Sequence, residues 1–165
     1  MKPEYLAHPV PRSTGFPALA STQLTTIREA IGILEQHIRE TEPMTNPTAV
    51  KSFCRLHLAT EPDEHFCGLF LDSQHRLIVF ERLFRGTVDG ASVYPRVVVR
   101  RALELNAAAL VVTHNHPSGI TEPSHADRRI TERLREALAL VDVRVLDHII
   151  VGTGGAFSFA ENGMI

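Results

Sequence analysis

The sequence has no tryptophan, only two cysteines and no apolar run approaching 18 residues. Cys54 and Cys67 are too few for a disulfide framework, and they do not form a CxxC pair. Without a long apolar run there is no candidate membrane span, and the opening MKPEYLAHPVPR has no apolar signal-peptide core. An excess of one charge is missing too. Lys and Arg number 17 against 19 Asp and Glu, a formal net charge of −2. That balance argues against a protein built mainly to coat nucleic acid or acidic membranes, although a local basic face is compatible with it. No internal repeat and no low-complexity segment interrupts the chain. These absences lead us to expect a soluble, reduced, cytoplasmic protein with no membrane partner.

What is present is ordinary globular material. The chain has 165 residues, of which 44% are hydrophobic and 22% charged. That suits one domain, able to bury roughly 70% of the surface its unfolded form exposes. Nine histidines are the unusual feature.

Residues 1–23 carry Pro3, Pro9, Pro11, Gly15 and Pro17 without periodicity and are expected to form an arm. From Thr26, the spacing of Ile27, Ala30, Ile31, Leu34 and Ile38 predicts a helix, with Thr26 and Glu29 as its capping box. Pro43 to Pro47 should end it. A second helix, about Thr48 to Leu58, should present Val50, Phe53, Cys54 and His57 on one side. The arm and first helix (1–45) thus precede a domain over 46–165.

In that domain, Phe66–Leu71 and Leu77–Phe80 read as strands joined by a tight turn at Asp72–His75. Tyr94–Asn106 reads as a helix with Val98, Ala102 and Leu105 inward and Asn106 at its stop. Ala107–Thr113 is apolar throughout and fits a central strand buried on both faces. A helix from Ser124 to about Leu140 follows, with Ile130, Leu134, Ala137, Leu138 and Val141 inward. Val143–Val151 and Phe157–Ala160 close the pattern around the turn Gly152-Thr153-Gly154-Gly155. Alternating helices and strands predict an α/β fold with a mixed central sheet flanked by helices.

The chemistry is concentrated in Thr113-His114-Asn115-His116-Pro117 and Pro123-Ser124-His125-Ala126-Asp127. Side chains alternate along a strand, so His114 and His116 project to one face, about 7 Å apart at their Cα atoms. A metal about 2.0–2.1 Å from each ring nitrogen fits between them. Asp127, in the first turn of the next helix, can swing a carboxylate back as a third ligand. Two histidines and a carboxylate with an open position is the pattern of catalytic zinc. HxH alone is weak evidence, because two histidines two apart often arise on surfaces and in cores. Ser124 has two competing employments: helix N-cap opposite Asp127, or hydroxyl donor to a developing oxyanion. Asn115 points to the opposite face and should make structural hydrogen bonds.

The run His114-x-His116-Pro117, then Pro117 to Pro123, then Ser124-x-x-Asp127, resembles the JAMM signature of MPN-domain (JAB) metalloproteases. HNHPSG, EPSHADRRIT, LDHIIVG and the upstream GTVDGASVYPR resemble its bacterial RadC-like branch, over about residues 60–165. The resemblance implies an MPN/JAB-like fold, similar in architecture to cytidine deaminases. It implies a short form without the helix-hairpin-helix segment of longer RadC proteins. It also implies one Zn²⁺ per chain, held by His114, His116 and Asp127. The family pattern requires an upstream glutamate to act on the zinc-bound water. Glu64, before the first strand, fits that place; Glu61 lies a turn too early and Glu81 ends the second strand. The implied reaction is hydrolysis of a peptide or isopeptide carbonyl in a peptide or protein substrate, with Ser124 steadying the oxyanion.

Other readings are weaker. The literal HNH is not the scattered metal motif of HNH nucleases, and a cytidine deaminase would need PCxxC after its HxE. His148 reads as a hydrogen-bonded structural histidine, with a supporting role at the metal as the sharper alternative. His125 reads as exposed, and His8, His37, His57, His65 and His75 as background; Cys67 reads as a small core residue. Arg96, Arg100, Arg101, Arg128, Arg129, Arg133 and Arg135 are interleaved with Glu104, Glu132 and Glu136, which suggests a solvated face. The alternative for those arginines is DNA backbone contact, in keeping with the traditional association of RadC-like proteins with DNA repair. In that case the chain would be a DNA-associated accessory module that keeps the fold without proteolysis.

Overall fold

The computed structural model describes residues 20–41, 44–86 and 92–165, with side chains in 38–41 left aside. In order these form α1 (Ser21–Thr41), α2 (Pro47–Leu58), β1 (His65–Leu71), β2 (Leu77–Arg85), α3 (Pro95–Glu104), β3 (Ala109–Asn115), α4 (His125–Ala139), β4 (Arg144–Gly152) and β5 (Gly155–Ser158). The expected arm lies outside the described residues up to residue 19, as do Pro43 and part of GTVDGASVYPR.

The strands form one sheet in the order β2-β1-β3-β4-β5. β3 and β4 run parallel, joined through α4, and the other neighbours are antiparallel. The expected mixed sheet in an α/β fold is therefore what forms. Its period of two divides the core. Cys67, Leu69, Leu71, Val111, Ile149 and Val151 pack with Val50, Phe53, Cys54 and Leu58 of α2. Phe66, Phe70, Leu110 and Val112 pack with Val98 and Ala102 of α3 and Leu134 and Leu138 of α4. β3 is buried along its whole length, as its apolar run requires.

Four local expectations need correction. α1 begins at Ser21, five residues before Thr26. Gln23 accepts the Ala20 N–H at 2.9 Å, while the Thr26 hydroxyl donates to the Thr22 carbonyl inside the helix and caps nothing. β2 runs on to Arg85 because its pairing with β1 extends to His65. β5 starts at Gly155, where Gly152↔Gly155 closes the hairpin, and ends before Ala160. His57 is not background: its ring lies between Phe53 and Phe80, at centroid distances of 4.4 and 4.2 Å. Asn106 does stop α3, with a left-handed φ of 49°. Cys54 and Cys67 are buried, and burial pushes both thiols up to about 12.

Candidate metal centre

β3 delivers the histidines. Its even-numbered side chains, Leu110, Val112 and His114, face α3 and α4; Asn115 faces away. The chain leaves β3 with the His116 N–H bonded to the Val151 carbonyl at 2.9 Å. It then turns through Gly119, whose φ is +85°. That turn presses on β4: a Cβ on Gly152 would meet the Gly119 carbonyl oxygen at 2.3 Å. The loop so held places the Ile120 carbonyl 2.7 Å from His116 Nδ1. A carbonyl can only accept, so Nδ1 carries a proton and Nε2 is the nitrogen on offer to a metal.

α4 delivers the carboxylate. Ser124 is its N-cap, accepting the Asp127 N–H on Oγ at 3.1 Å, while Asp127 Oδ2 accepts the Ser124 N–H at 2.7 Å. The capping box is therefore formed. In that box the Ser124 hydroxyl oxygen serves as an acceptor, so the cap itself does not preclude donation into the groove. The same box aims Asp127 at the histidines, with Oδ1 3.3 Å from His114 Nε2 and Oδ2 3.6 Å from His116 Nε2. The two Nε2 atoms are 2.8 Å apart. All three ligating atoms lie within 4.8 Å of one another.

Burial pushes the Asp127 carboxyl up, but the His114 and His116 imidazoles beside it more than offset this and hold it well below the usual carboxylate range. The Asp127 carboxylate beside it raises the pKa of His116 against the opposing effect of burial. Two imidazole nitrogens and an ionised carboxylate turned toward a common point are the donor set zinc prefers, with room for a fourth ligand. These residues fit the ion.

Glu64 reaches the groove through the register of β1 on β3. Phe66 pairs with His114 across the antiparallel ladder. Continued two residues outward, that register brings Glu64 level with His116, on the same face. Glu64 lines a groove of about 820 Å³ together with His114, His116, Ser124 and Asp127. It is not among the three clustered ligand residues. Its rivals are engaged elsewhere: Glu61 with Arg82 at 2.5 Å, Glu81 with Arg101 at 2.5 Å. The structure thus brings together all five sequence-identified residues.

Asn115 and Thr131 were not singled out for this site, and for His148 a supporting role at the metal was only the sharper alternative. Asn115 clamps the segment before β1: Oδ1 accepts the His65 N–H at 2.9 Å, and Nδ2 donates to the Asp63 carbonyl at 2.9 Å. His148, fully buried, lies 2.8 Å from His114 Nδ1 through its Nε2, and Thr131 Oγ1 lies 2.6 Å from its Nδ1. Burial lowers the His148 pKa well below its ordinary value. The spacing Asp127-x-x-x-Thr131 does put both on one helix face. The contact between His148 and His114 depends on strand pairing and leaves no local signal.

Of the arginines, Arg100 and Arg101 pair with Glu104, and Arg135 with Glu132. Arg129 and Arg133 line the groove instead. Among the described residues no helix is long and apolar enough to cross a membrane.

Residues 44–164 match the RadC-like JAB domain family. The chain is 57% identical over 132 residues to a UPF0758 protein of Methylibium petroleiphilum, a match covering 80% of this chain and 60% of that protein. It is 58% identical over 132 residues to a UPF0758 protein of Azotobacter vinelandii, covering 80% and 59%. With a UPF0758 protein of Nitrosococcus oceani it shares 50% over 153 residues, covering 90% and 68%. The aligned part thus spans about three fifths of the first two relatives.

Proposed function

The chain belongs to the RadC-like JAB domain family, and from that premise we propose that it is a zinc-dependent hydrolase of peptide or isopeptide bonds in a protein or peptide substrate. The observation that carries this reading is the convergence of His114 Nε2, His116 Nε2 and Asp127 within 4.8 Å, beside Glu64 in one groove. His114, His116 and Asp127 would hold one Zn²⁺. Zinc, when bound, is a Lewis acid that makes water a competent nucleophile near neutral pH.

The chain's own residues supply the rest. Glu64 accepts the proton of the attacking water and returns it to the departing amine, general acid–base work normally worth about 10²–10⁴-fold in rate. Ser124 donates its hydroxyl proton to the oxyanion that develops on the carbonyl, a contribution of the kind that costs about 10²–10³-fold when removed. Asp127 balances charge beside the histidines, and the capping box keeps it from rotating away. The test is a peptide-library and isopeptide cleavage profile of the zinc-loaded full chain against its Glu64→Gln variant. Cleavage by the wild type alone supports the reading; identical profiles overturn it.

A second reading draws on Arg129 and Arg133, which line the groove without an ion pair among the described residues. Under it the domain is a DNA-associated accessory module whose groove meets phosphate. The net charge of −2 weighs against it.

A further inference from the structure

Protons on the far side of His114 form a directed chain. The Thr131 hydroxyl oxygen lies 2.6 Å from the Asp127 carbonyl oxygen and 2.6 Å from His148 Nδ1. Two oxygens at that distance need a proton between them, and a carbonyl has none, so the Thr131 hydroxyl supplies it. With its one proton committed, Thr131 can only accept from His148, and His148 Nδ1 therefore carries a hydrogen. Fully buried between Phe66 and Phe159, the His148 ring is in no place to hold a charge, and a neutral imidazole has one N–H, which leaves Nε2 as an acceptor. Its neighbour at 2.8 Å is His114 Nδ1, which must donate.

We propose that His148 and Thr131 are positioning residues that fix His114 in the Nδ1–H tautomer and tie two metal ligands, His114 and Asp127, to each other through one hydrogen-bonded chain. Every donor in it points the same way: His114 to His148, His148 to Thr131, Thr131 to the Asp127 backbone. Such chains polarise cooperatively, and a cation at His114 Nε2 would strengthen the first donor. These links are also rigidly held. His114, Thr131 and His148 are each no more than 2% exposed. The His148 imidazole stacks on Phe159 at 4.8 Å and 23°, with Phe66 edge-on at 5.7 Å. A strand ligand and a helix ligand are thereby held in one geometry before any ion arrives. This rests on the metal reading of His114, His116 and Asp127.

The experiment measures zinc affinity of the full chain by chelator competition, alongside imidazole ¹⁵N shifts. Thr131→Val, which removes the hydroxyl at constant volume, and His148→Ala should each weaken zinc binding, His148→Ala by about 10–100-fold. His148→Gln, whose amide can accept from His114 and donate to Thr131, should recover most of the loss. In the His148→Ala background, Thr131→Val should cost nothing further, because the link between Thr131 and His114 is already broken. Wild-type ¹⁵N shifts should show His148 protonated at Nδ1 and bare at Nε2, a measurement that needs no variant to fold. Equal zinc affinity in wild type and both single variants overturns the inference alone, as does His148 protonated at Nε2 or strict additivity of the two substitutions. A wild-type chain that takes up no zinc overturns the metal reading with it.

Discussion

Asn115 Oδ1 accepts the backbone N–H of His65 at 2.9 Å, across 50 positions of sequence. The residue between the two candidate zinc histidines thus holds the peptide that follows Glu64. Asn115→Asp keeps that acceptor but turns an oxygen toward the Asp63 and Glu61 carbonyls, both of which the amide serves. It should destabilise the fold by about 1–3 kcal/mol. Zinc content should hold while turnover falls, since a misplacement of 1 Å can cost about 10²-fold. Denaturant melts, metal analysis and kinetics on an identified substrate check each part.

One equivalent of zinc should bind after reconstitution. His114→Ala and His116→Ala should each lose it, because either leaves two donors where three converge. Metal analysis after gel filtration decides this, and variants with full metal content would contradict it.

Glu64→Gln separates holding the metal from using it. Glutamine keeps the size and reach of the side chain but cannot accept a proton at neutral pH. Zinc content and Tm should stay near wild type while hydrolysis falls by about 10²–10⁴-fold. Asp127→Asn should lie between Glu64→Gln and His116→Ala in metal retention, because an amide oxygen is a poorer, uncharged ligand. Full activity of Glu64→Gln would return Glu61 and Glu81 to consideration.

His57 gives the fold a pH dependence of its own. Burial, and then the charge of Arg82, lower its imidazole from 6.5 to about 4. Between those values the unfolded chain takes up a proton that the folded chain refuses, so stability is lost as pH falls through that window. Glu35, 3.3 Å from Nε2, and the solvent near it keep the slope below the one-proton limit of about 1.4 kcal/mol per pH unit. His57→Phe, which suits the gap between Phe53 and Phe80, should lose less stability than wild type from pH 6.5 to 4. Denaturant unfolding of both proteins across that range measures the difference.

DNA binding, if Arg129 and Arg133 contact phosphate, should fall by roughly 0.9 log units per contact for each log unit of salt. With a net charge of −2, we expect weak or no binding at physiological salt. Titration of labelled duplex at several salt concentrations tests this; tight binding that survives 200 mM salt would favour the DNA-associated reading.

Much of what is encoded within one turn or one strand period was legible in the chain itself. The buried run of β3, the shared face of His114 and His116, the capping box that aims Asp127 and the left-handed stop at Asn106 all follow from spacings of four residues or fewer. The start of α1 was misplaced because Thr26 and Gln23 both suit a cap, and sequence does not say which one the chain uses. Tertiary structure alone decided what stands opposite what. Glu64 faces His116 because β1 pairs with β3 in one register, and a slip of one residue would turn it to the other face. His148 meets His114 because β4 lies parallel to β3 and α4 crosses above them. Those partners are 34 and about 50 residues apart in sequence, and no local periodicity reaches that far.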